Sequence, residues 1–295
     1  MNESHTVNLI STPPPGATSA EGLATLGTGQ TRVLRLLDEL FLGWALGHGT
    51  EELTAPPVLS TSEAVLLDVF TNFPHLVSVV SNLSPQAQSA VGGMAGAVPV
   101  SALTQAAWVL PSSVCFGVYL AHSGTSLPED LTVTVLGRCY RNEATYEGLR
   151  RLRSFQMREV VAIGSYEHAL RLVRTYRDLT TGLAAALGIP VEVREAGDPF
   201  FDSNSPRALM QKLAPVKQEF VFQGTALASV NVHRNFFGER CGIRRRETNE
   251  YAFSSCVGWG YERWLHALSV RYHGDFDDAL EGLEQARCAT GLSGG

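Results

Sequence analysis

The chain has 295 residues and a mass of 31.9 kDa, with 44% hydrophobic and 18% charged residues, a composition able to bury a sizeable core. A net charge of −6 and a pI near 5.8 argue against a bulk electrostatic grip on nucleic acid. Five cysteines without compact spacing make no disulfide framework, no apolar run reaches bilayer length, and the N-terminus lacks a secretory pattern, so a cytoplasmic protein with no membrane contact is expected.

Residues 1–28 are rich in Ser, Thr, Pro and Gly around Pro13-Pro14-Pro15-Gly16 and are expected to be a disordered tail, with 29–295 forming a single domain. Val33, Leu36, Leu37, Leu40, Phe41 and Trp44 recur at helical spacing, which predicts an amphipathic helix over about 31–46. Residues 51–60 read as extended, with Pro56 and Pro57 assigning them to an edge or interface. A helix is expected over 61–69, capped by Thr61 or Ser62, and a second short one over 72–80, interrupted at Pro74. Residues 108–119 are apolar, with a Pro111-Ser112-Ser113 turn before Cys115.

The β-runs 131–136 and 160–163, joined by a polar, Arg-rich segment, predict an antiparallel hairpin. A long helix over 167–187 stops at Gly188 and Pro190. Short strands follow at 191–194, 218–222 and 227–233, with a turn at 198–202, and the segment from Ser254 runs into a helix reaching about Val270. No internal repeat is present. Interspersed helices and hairpin-linked strands give an α+β fold with a mainly antiparallel sheet.

The chemistry concentrates on the central hairpin. Residues two apart on a strand share a face, so Arg141 groups with Glu143 on the outgoing strand, and Phe155 with Met157 and Glu159 on the return. Guanidinium, carboxylate and an aromatic plane together suit a nucleotide.

Tyr140-Arg141-Asn142-Glu143 with Phe155 resembles motif 2 of class II aminoacyl-tRNA synthetases, and Gly258-Trp259-Gly260-Tyr261-Glu262-Arg263 resembles motif 3. Pro56 and Pro57 sit where motif 1 places its dimer-interface proline. Within the class the likeness is to the seryl branch, and in particular to truncated homologues of the zinc-dependent seryl-tRNA synthetases called amino acid:[carrier protein] ligases, through SFQMREVVAIG, DPFF, KQEF, SVNVHRNFFG and SSCVGWGYERW. The resemblance spans about 33–270 and implies the class II catalytic core, a homodimer, and no tRNA-binding arm, since only about thirty Pro/Gly-rich residues precede the first helix.

The resemblance implies roles residue by residue. Arg141, Glu143 and Arg263 are the expected catalytic residues. Arg141 would hold the α-phosphate and the reacting carboxylate, Glu143 the adenine amine or the terminal amine, and Arg263 the other adenine face and the γ-phosphate. Phe155 would stack on adenine, and Glu219 would serve the ATP side. One of Arg150, Arg151 and Arg153 is expected to bind phosphate; which one stays open, and Arg153 is the one carried into the expected site. Cys115, Glu159 and Cys256 match a Zn²⁺ site with an open position for the substrate's α-amine, although no spacing rule supports that trio and a lone cysteine is more often a buried hydrophobe. Ser229, Asn231 and His233 follow the place of an acidic metal-binding residue in E-x-x-S, where this chain has Ala226, which puts an expected Mg²⁺ contact in doubt.

The implied function is activation of a small amino acid by ATP to an aminoacyl-adenylate, then transfer to the phosphopantetheine thiol of a carrier protein, with no stable tRNA binding. Arg244-Arg245-Arg246 is a candidate patch for an acidic carrier. The alternatives are an adenylate-forming enzyme with a small-molecule or tRNA acceptor, and a non-catalytic paralogue that senses an amino acid.

Overall fold

The computed structural model describes residues 12–89, 96–205, 209, 211 and 216–289. In chain order the chain forms β1 (Ala17–Thr18), β2 (Ala24–Thr25), α1 (Thr28–Gly47), β3 (Glu51–Leu53), β4 (Leu59–Ser60), α2 (Thr61–Leu66), α3 (Val69–Asn72), β5 (Ser78–Val80) and α4 (Pro85–Gln88). Then come β6 (Trp108–Leu110), α5 (Cys115–Ala121), β7 (Ser126–Leu127), β8 (Leu131–Tyr140), β9 (Ser154–Gly164), α6 (Tyr166–Ala186) and β10 (Glu192–Ala196). The remainder is β11 (Lys217–Phe222), β12 (Thr225–Arg234), α7 (Phe236–Cys241), β13 (Arg244–Arg245), β14 (Phe253–Gly260), α8 (Tyr261–Arg271) and α9 (Phe276–Ala289).

A seven-stranded sheet in the order β10-β11-β12-β14-β9-β8-β3 carries the fold, antiparallel throughout except for the parallel edge pair β3–β8. This is the mainly antiparallel α+β arrangement the sequence predicts. The two faces are covered differently. On β9, Val160 and Ala162 pack with α1, α6, α8 and α9, whereas Val161 and Ile163 pack on the opposite side with α5 and α7, the two-residue alternation of a strand buried on both faces. All six apolar residues that predict α1 are buried.

A buried cation ties the helical face to the sheet. Arg158 on β9 is 1% exposed; its Nε donates to Asp38 of α1 at 2.6 Å and its Nη1 to Glu52 of β3 at 3.2 Å, while the Tyr261 hydroxyl also donates to Asp38. Hydrogen bonding and charge from Asp38 outweigh burial and hold the guanidinium's pKa above its ordinary value.

Several boundaries differ from expectation. Residues 12–28 are not featureless: β1 and β2 pair as a hairpin, with Ala17 opposite Thr25, and Gly16 and Gly22 supply the positive φ angles its turns require. The cap of α2 is Ser60, not Thr61 or Ser62, because Ser60 and Glu63 form a reciprocal capping box. The segment expected as a short helix over 72–80 instead ends α3, makes one 3₁₀ turn over 74–76 and then enters β5. Helix α9 lies beyond the elements read from the sequence, though Ala279, Leu283 and Ala286 are buried at helical spacing. Among the described residues no helix is long and apolar enough to cross a membrane.

Candidate active site

The site lies on the sheet face opposite the long helices, and strand register builds it. Lys217 of β11 stands opposite Asn231 of β12, which stands opposite Cys256 of β14. One step along, Glu219 faces Ser229, Ser229 faces Gly258, and Gly258 faces Glu159 of β9. Period-two alternation places these residues on one face, with Phe220, Val230 and Val257 on the other. Gly258 is the gap in the second row. A Cβ there would lie 3.1 Å from Met157 Sδ and 3.3 Å from Glu159 Cγ. The motif 3 glycine at 258 therefore makes room for Glu159.

Two adjoining cavities open on this face. The smaller, about 140 Å³, is lined by Cys115, Glu159, Ser229, Asn231, His233 and Cys256 among others; the larger, about 730 Å³, by Glu143, Arg150, Arg151, Glu219, Ala226 and Arg263. Arg141 and Lys217 line both. The Lys217 ammonium is 3.0 Å from Glu219 and 3.5 Å from Asp198. Sequence reasoning passed over Lys217; its only signal is its place two residues before Glu219 on the same strand.

At the end of the smaller cavity, one ligand atom each from Cys115, Glu159 and Cys256 lies within 4.8 Å of the other two. All three residues are buried. Glu159 Oε1 accepts from Ser113 Oγ and from the Val114 backbone N–H, both at 3.0 Å, so the turn before Cys115 fixes the carboxylate. Its other oxygen, Oε2, has no hydrogen-bond partner among the described residues. The Cys256 hydrogen bond, followed by burial and the Glu159 charge, pushes the Cys115 thiol well above its ordinary pKa. Burial does the same to the Tyr119 phenol. Tyr119 orients His233 through a 3.0 Å contact to Nδ1, and His233 Nε2 is 3.7 Å from Cys256 Sγ.

A buried carboxylate with an orphaned oxygen is costly to leave uncompensated, and a divalent cation held by it and by the two cysteine sulfurs as thiolates would satisfy it. The donor set of two sulfurs and one oxygen suits zinc with one position left open. The trio thus fits the metal that the sequence resemblance implies.

Around the larger cavity, Arg141 Nε donates to the Ser112 carbonyl at 3.2 Å, and its guanidinium sits 5.1 Å from the Phe155 ring centroid. Phe155 is only 9% exposed and forms the seat of this arginine. Glu143 pairs with Arg151 at 3.0 Å rather than with Arg141. Arg263 Nε donates to the Arg150 carbonyl at 2.9 Å and Nη1 to the Ala226 carbonyl at 3.0 Å. Burial and then Arg141 lower its pKa to about 10, which leaves it charged at neutral pH. The position expected to carry an acid, Ala226, thus contributes a backbone acceptor, with Glu219 on the same cavity wall.

Of the three loop arginines, Arg150 and Arg151 line this cavity and Arg153 does not. Arg153 turns away to donate to the Glu21 carbonyl at 3.1 Å and lies over the Tyr146 ring. The basic triplet is partly engaged elsewhere: Arg244 covers the Tyr251 ring at 3.9 Å and donates to the Asn249 carbonyl. Cys139 and Cys241 are buried, with thiols pushed up to about 12 and about 11 by burial, and Cys288 is exposed.

No protein-family model matches the chain. Amino acid--[acyl-carrier-protein] ligase 1 of Bradyrhizobium diazoefficiens is 33% identical over 233 residues, covering 75% of this chain and 71% of that protein. Ligase 2 of the same organism is 30% identical over 232 residues, covering 74% and 69%. Among solved structures, the M. kandleri seryl-tRNA synthetase determined with A. aeolicus tRNASec superposes with a TM-score of 0.76 over 91% of this chain at 19% identity. The present chain spans 57% of that synthetase chain. The fold is that of a class II synthetase catalytic core.

Proposed function

The chain belongs to the amino acid--[acyl-carrier-protein] ligase family, and on that premise we propose that it activates a small amino acid with ATP and passes the aminoacyl group to the phosphopantetheine thiol of a carrier protein. The observation that carries the reading is the pair of adjoining cavities with Arg141 and Lys217 on their common wall. The smaller takes the amino acid and the larger takes ATP, so the carboxylate meets the α-phosphate beside these two cations. A carboxylate oxygen attacks the α-phosphorus in line and pyrophosphate leaves. Arg141 neutralises the charge that develops there, and Arg263, with Arg150 or Arg151, holds the outer phosphates. The phosphopantetheine thiol, as thiolate, then attacks the carbonyl carbon and AMP leaves with the electron pair of the broken C–O bond.

Cys115, Glu159 and Cys256 would hold a zinc ion, and when bound it supplies a Lewis-acid seat for the neutral α-amine of the substrate. Magnesium would accompany ATP, with Glu219 as the acid facing its cavity. The size of the smaller cavity supports a small side chain, since a cavity of ~150 Å³ accommodates about one benzene molecule. Pro56 and Pro57 are exposed beside the edge strand β3, which supports the expected homodimer through that segment.

The test is acceptor transfer. Incubation with ATP, a labelled small amino acid and carrier protein in its holo form should label the carrier through a hydroxylamine-labile thioester, and the apo carrier should stay unlabelled. Label on tRNA or on free thiols, with none on a holo carrier, would refute the carrier assignment while leaving adenylation intact.

A further inference from the structure

The hairpin over 16–25 ends against the motif 2 loop, the stretch that carries Arg141 and Glu143 into the ATP cavity. The Gly22 carbonyl accepts from the Arg153 backbone N–H at 2.8 Å, and the Glu21 carbonyl from Arg153 Nε at 3.1 Å. Arg153 Nη1 reaches Asn142 Oδ1 at 3.3 Å, and its backbone carbonyl accepts from the Arg141 N–H at 2.9 Å. Tyr146 joins the two. Its ring lies 4.8 Å from the Arg153 guanidinium carbon, and its hydroxyl accepts from the Glu143 N–H at 3.2 Å and donates to the Arg141 carbonyl at 3.4 Å.

Gly22 fits this contact because it has no side chain. It is buried at φ +76°, and a Cβ there would lie 2.4 Å from Tyr146 Cδ1 and 2.7 Å from the Arg153 nitrogen. The hairpin is itself fixed: Gly16 N–H donates to the Thr25 carbonyl at 2.7 Å, and the Gly27 N–H to Gln30 Oε1 of α1 at 2.7 Å. A continuous chain of contacts therefore runs from α1 through the hairpin to the backbone of Arg141 and Glu143.

We propose that the N-terminal hairpin is a strap that pre-orders the motif 2 loop for ATP, with Gly22, Tyr146 and Arg153 as positioning residues that do not touch the nucleotide. A loop held in its binding geometry loses less conformational entropy when ATP arrives, so the strap acts on nucleotide affinity and leaves the chemical step alone. It also accounts for the diversion of Arg153 from the cavity that Arg150 and Arg151 line. The kinetic arm of the proposal rests on the adenylating function above; its structural arm does not.

The test combines amide hydrogen exchange with ATP affinity in the full chain. In Gly22→Ala and Arg153→Ala, peptides covering 141–153 should exchange about tenfold faster or more, with β9, β14 and α1 unchanged. ATP affinity by calorimetry, and KM for ATP in pyrophosphate exchange, should weaken by about fivefold or more while kcat stays within about twofold. Tyr146→Phe, which keeps the ring and loses the hydroxyl, should move both in the same direction by about threefold, and it keeps the test decisive if Gly22→Ala does not fold. Loop exchange and ATP affinity within about twofold of wild type in Arg153→Ala and Tyr146→Phe would overturn the strap. A wild-type protein without pyrophosphate exchange would refute the adenylating function, and the exchange and calorimetry arms would still decide the strap.

Discussion

The two faces of the central sheet use the same strands for opposite ends. On the helical face Trp259 is fully buried, stacks on Phe41 with centroids 4.6 Å apart, meets Tyr176 edge-on and donates Nε1–H to Thr180 at 3.0 Å. On the other face, Glu159 Oε2 and Asn231 Oδ1 are buried acceptors without partners among the described residues. Orphaned polar atoms occur on both sides. Those of the helical face (the Trp44 and Trp264 indole N–H groups and the Tyr176 hydroxyl) sit on large aromatic side chains packed in the core, whereas Glu159 and Asn231 line a cavity. A fold tolerates that local cost where the groups have work to do, which is why the orphaned carboxylate oxygen lies against the two thiols.

The comparison can be broken from either side. The largest effect is expected for Glu159→Gln: amino-acid-dependent pyrophosphate exchange should fall by about 100-fold or more with loss of bound zinc, while the melting temperature, compared between the two metal-free proteins, changes little because the amide oxygen keeps its contacts to Ser113 and Val114. Trp259→Ala should do the reverse, costing about 3–5 kcal/mol of stability in chemical denaturation while zinc stoichiometry in the folded fraction is kept. If the first variant unfolds the protein, or the second loses metal without losing stability, the division between the faces is wrong.

A smaller effect sharpens the boundary between them. Glu262 is 3% exposed, accepts from the Gln156 N–H at 2.9 Å and has its pKa raised by burial from 4.5 to about 7. Between those values the folded state holds a proton that the unfolded state has released. This group's contribution is therefore fully present below about pH 4.5 and is lost as pH rises through about 7. The difference corresponds to about 3 kcal/mol at most. Denaturation midpoints across that range should fall less steeply in Glu262→Gln than in wild type; parallel profiles would contradict the assignment.

The helical face was largely legible in the sequence because it is periodic. Val33 to Trp44 mark α1, and Gly188 with Pro190 marks the end of the long helix over 166–186. The site was legible only through motifs. Arg141, Glu143 and Arg263 lie at recognisable spacings and do line one cavity, but Cys115, Glu159 and Cys256 meet through strand register and a turn, which no linear spacing records. Arg158 was equally opaque, since its partners Asp38, Glu52 and Thr134 come from three other elements. Residues 12–28 differ from the expected disordered tail for a physical reason, while residues 1–11 of that expectation lie outside the described residues. Gly and Pro are as fit for a tight hairpin docked on a loop as for disorder, and the deciding contacts with Tyr146 and Arg153 are more than a hundred residues away. The loop arginines divide the same way, because a solvated run and a strap contact look alike in composition.

The most direct test of the central claim is amino-acid-dependent ATP–pyrophosphate exchange on protein whose zinc content has been measured. Exchange supported by small amino acids, absent with the matching carboxylic acids that lack the α-amine and lost when the metal is removed, is the predicted result. Equal exchange with and without the amine, or none with any amino acid on zinc-replete protein, would contradict it.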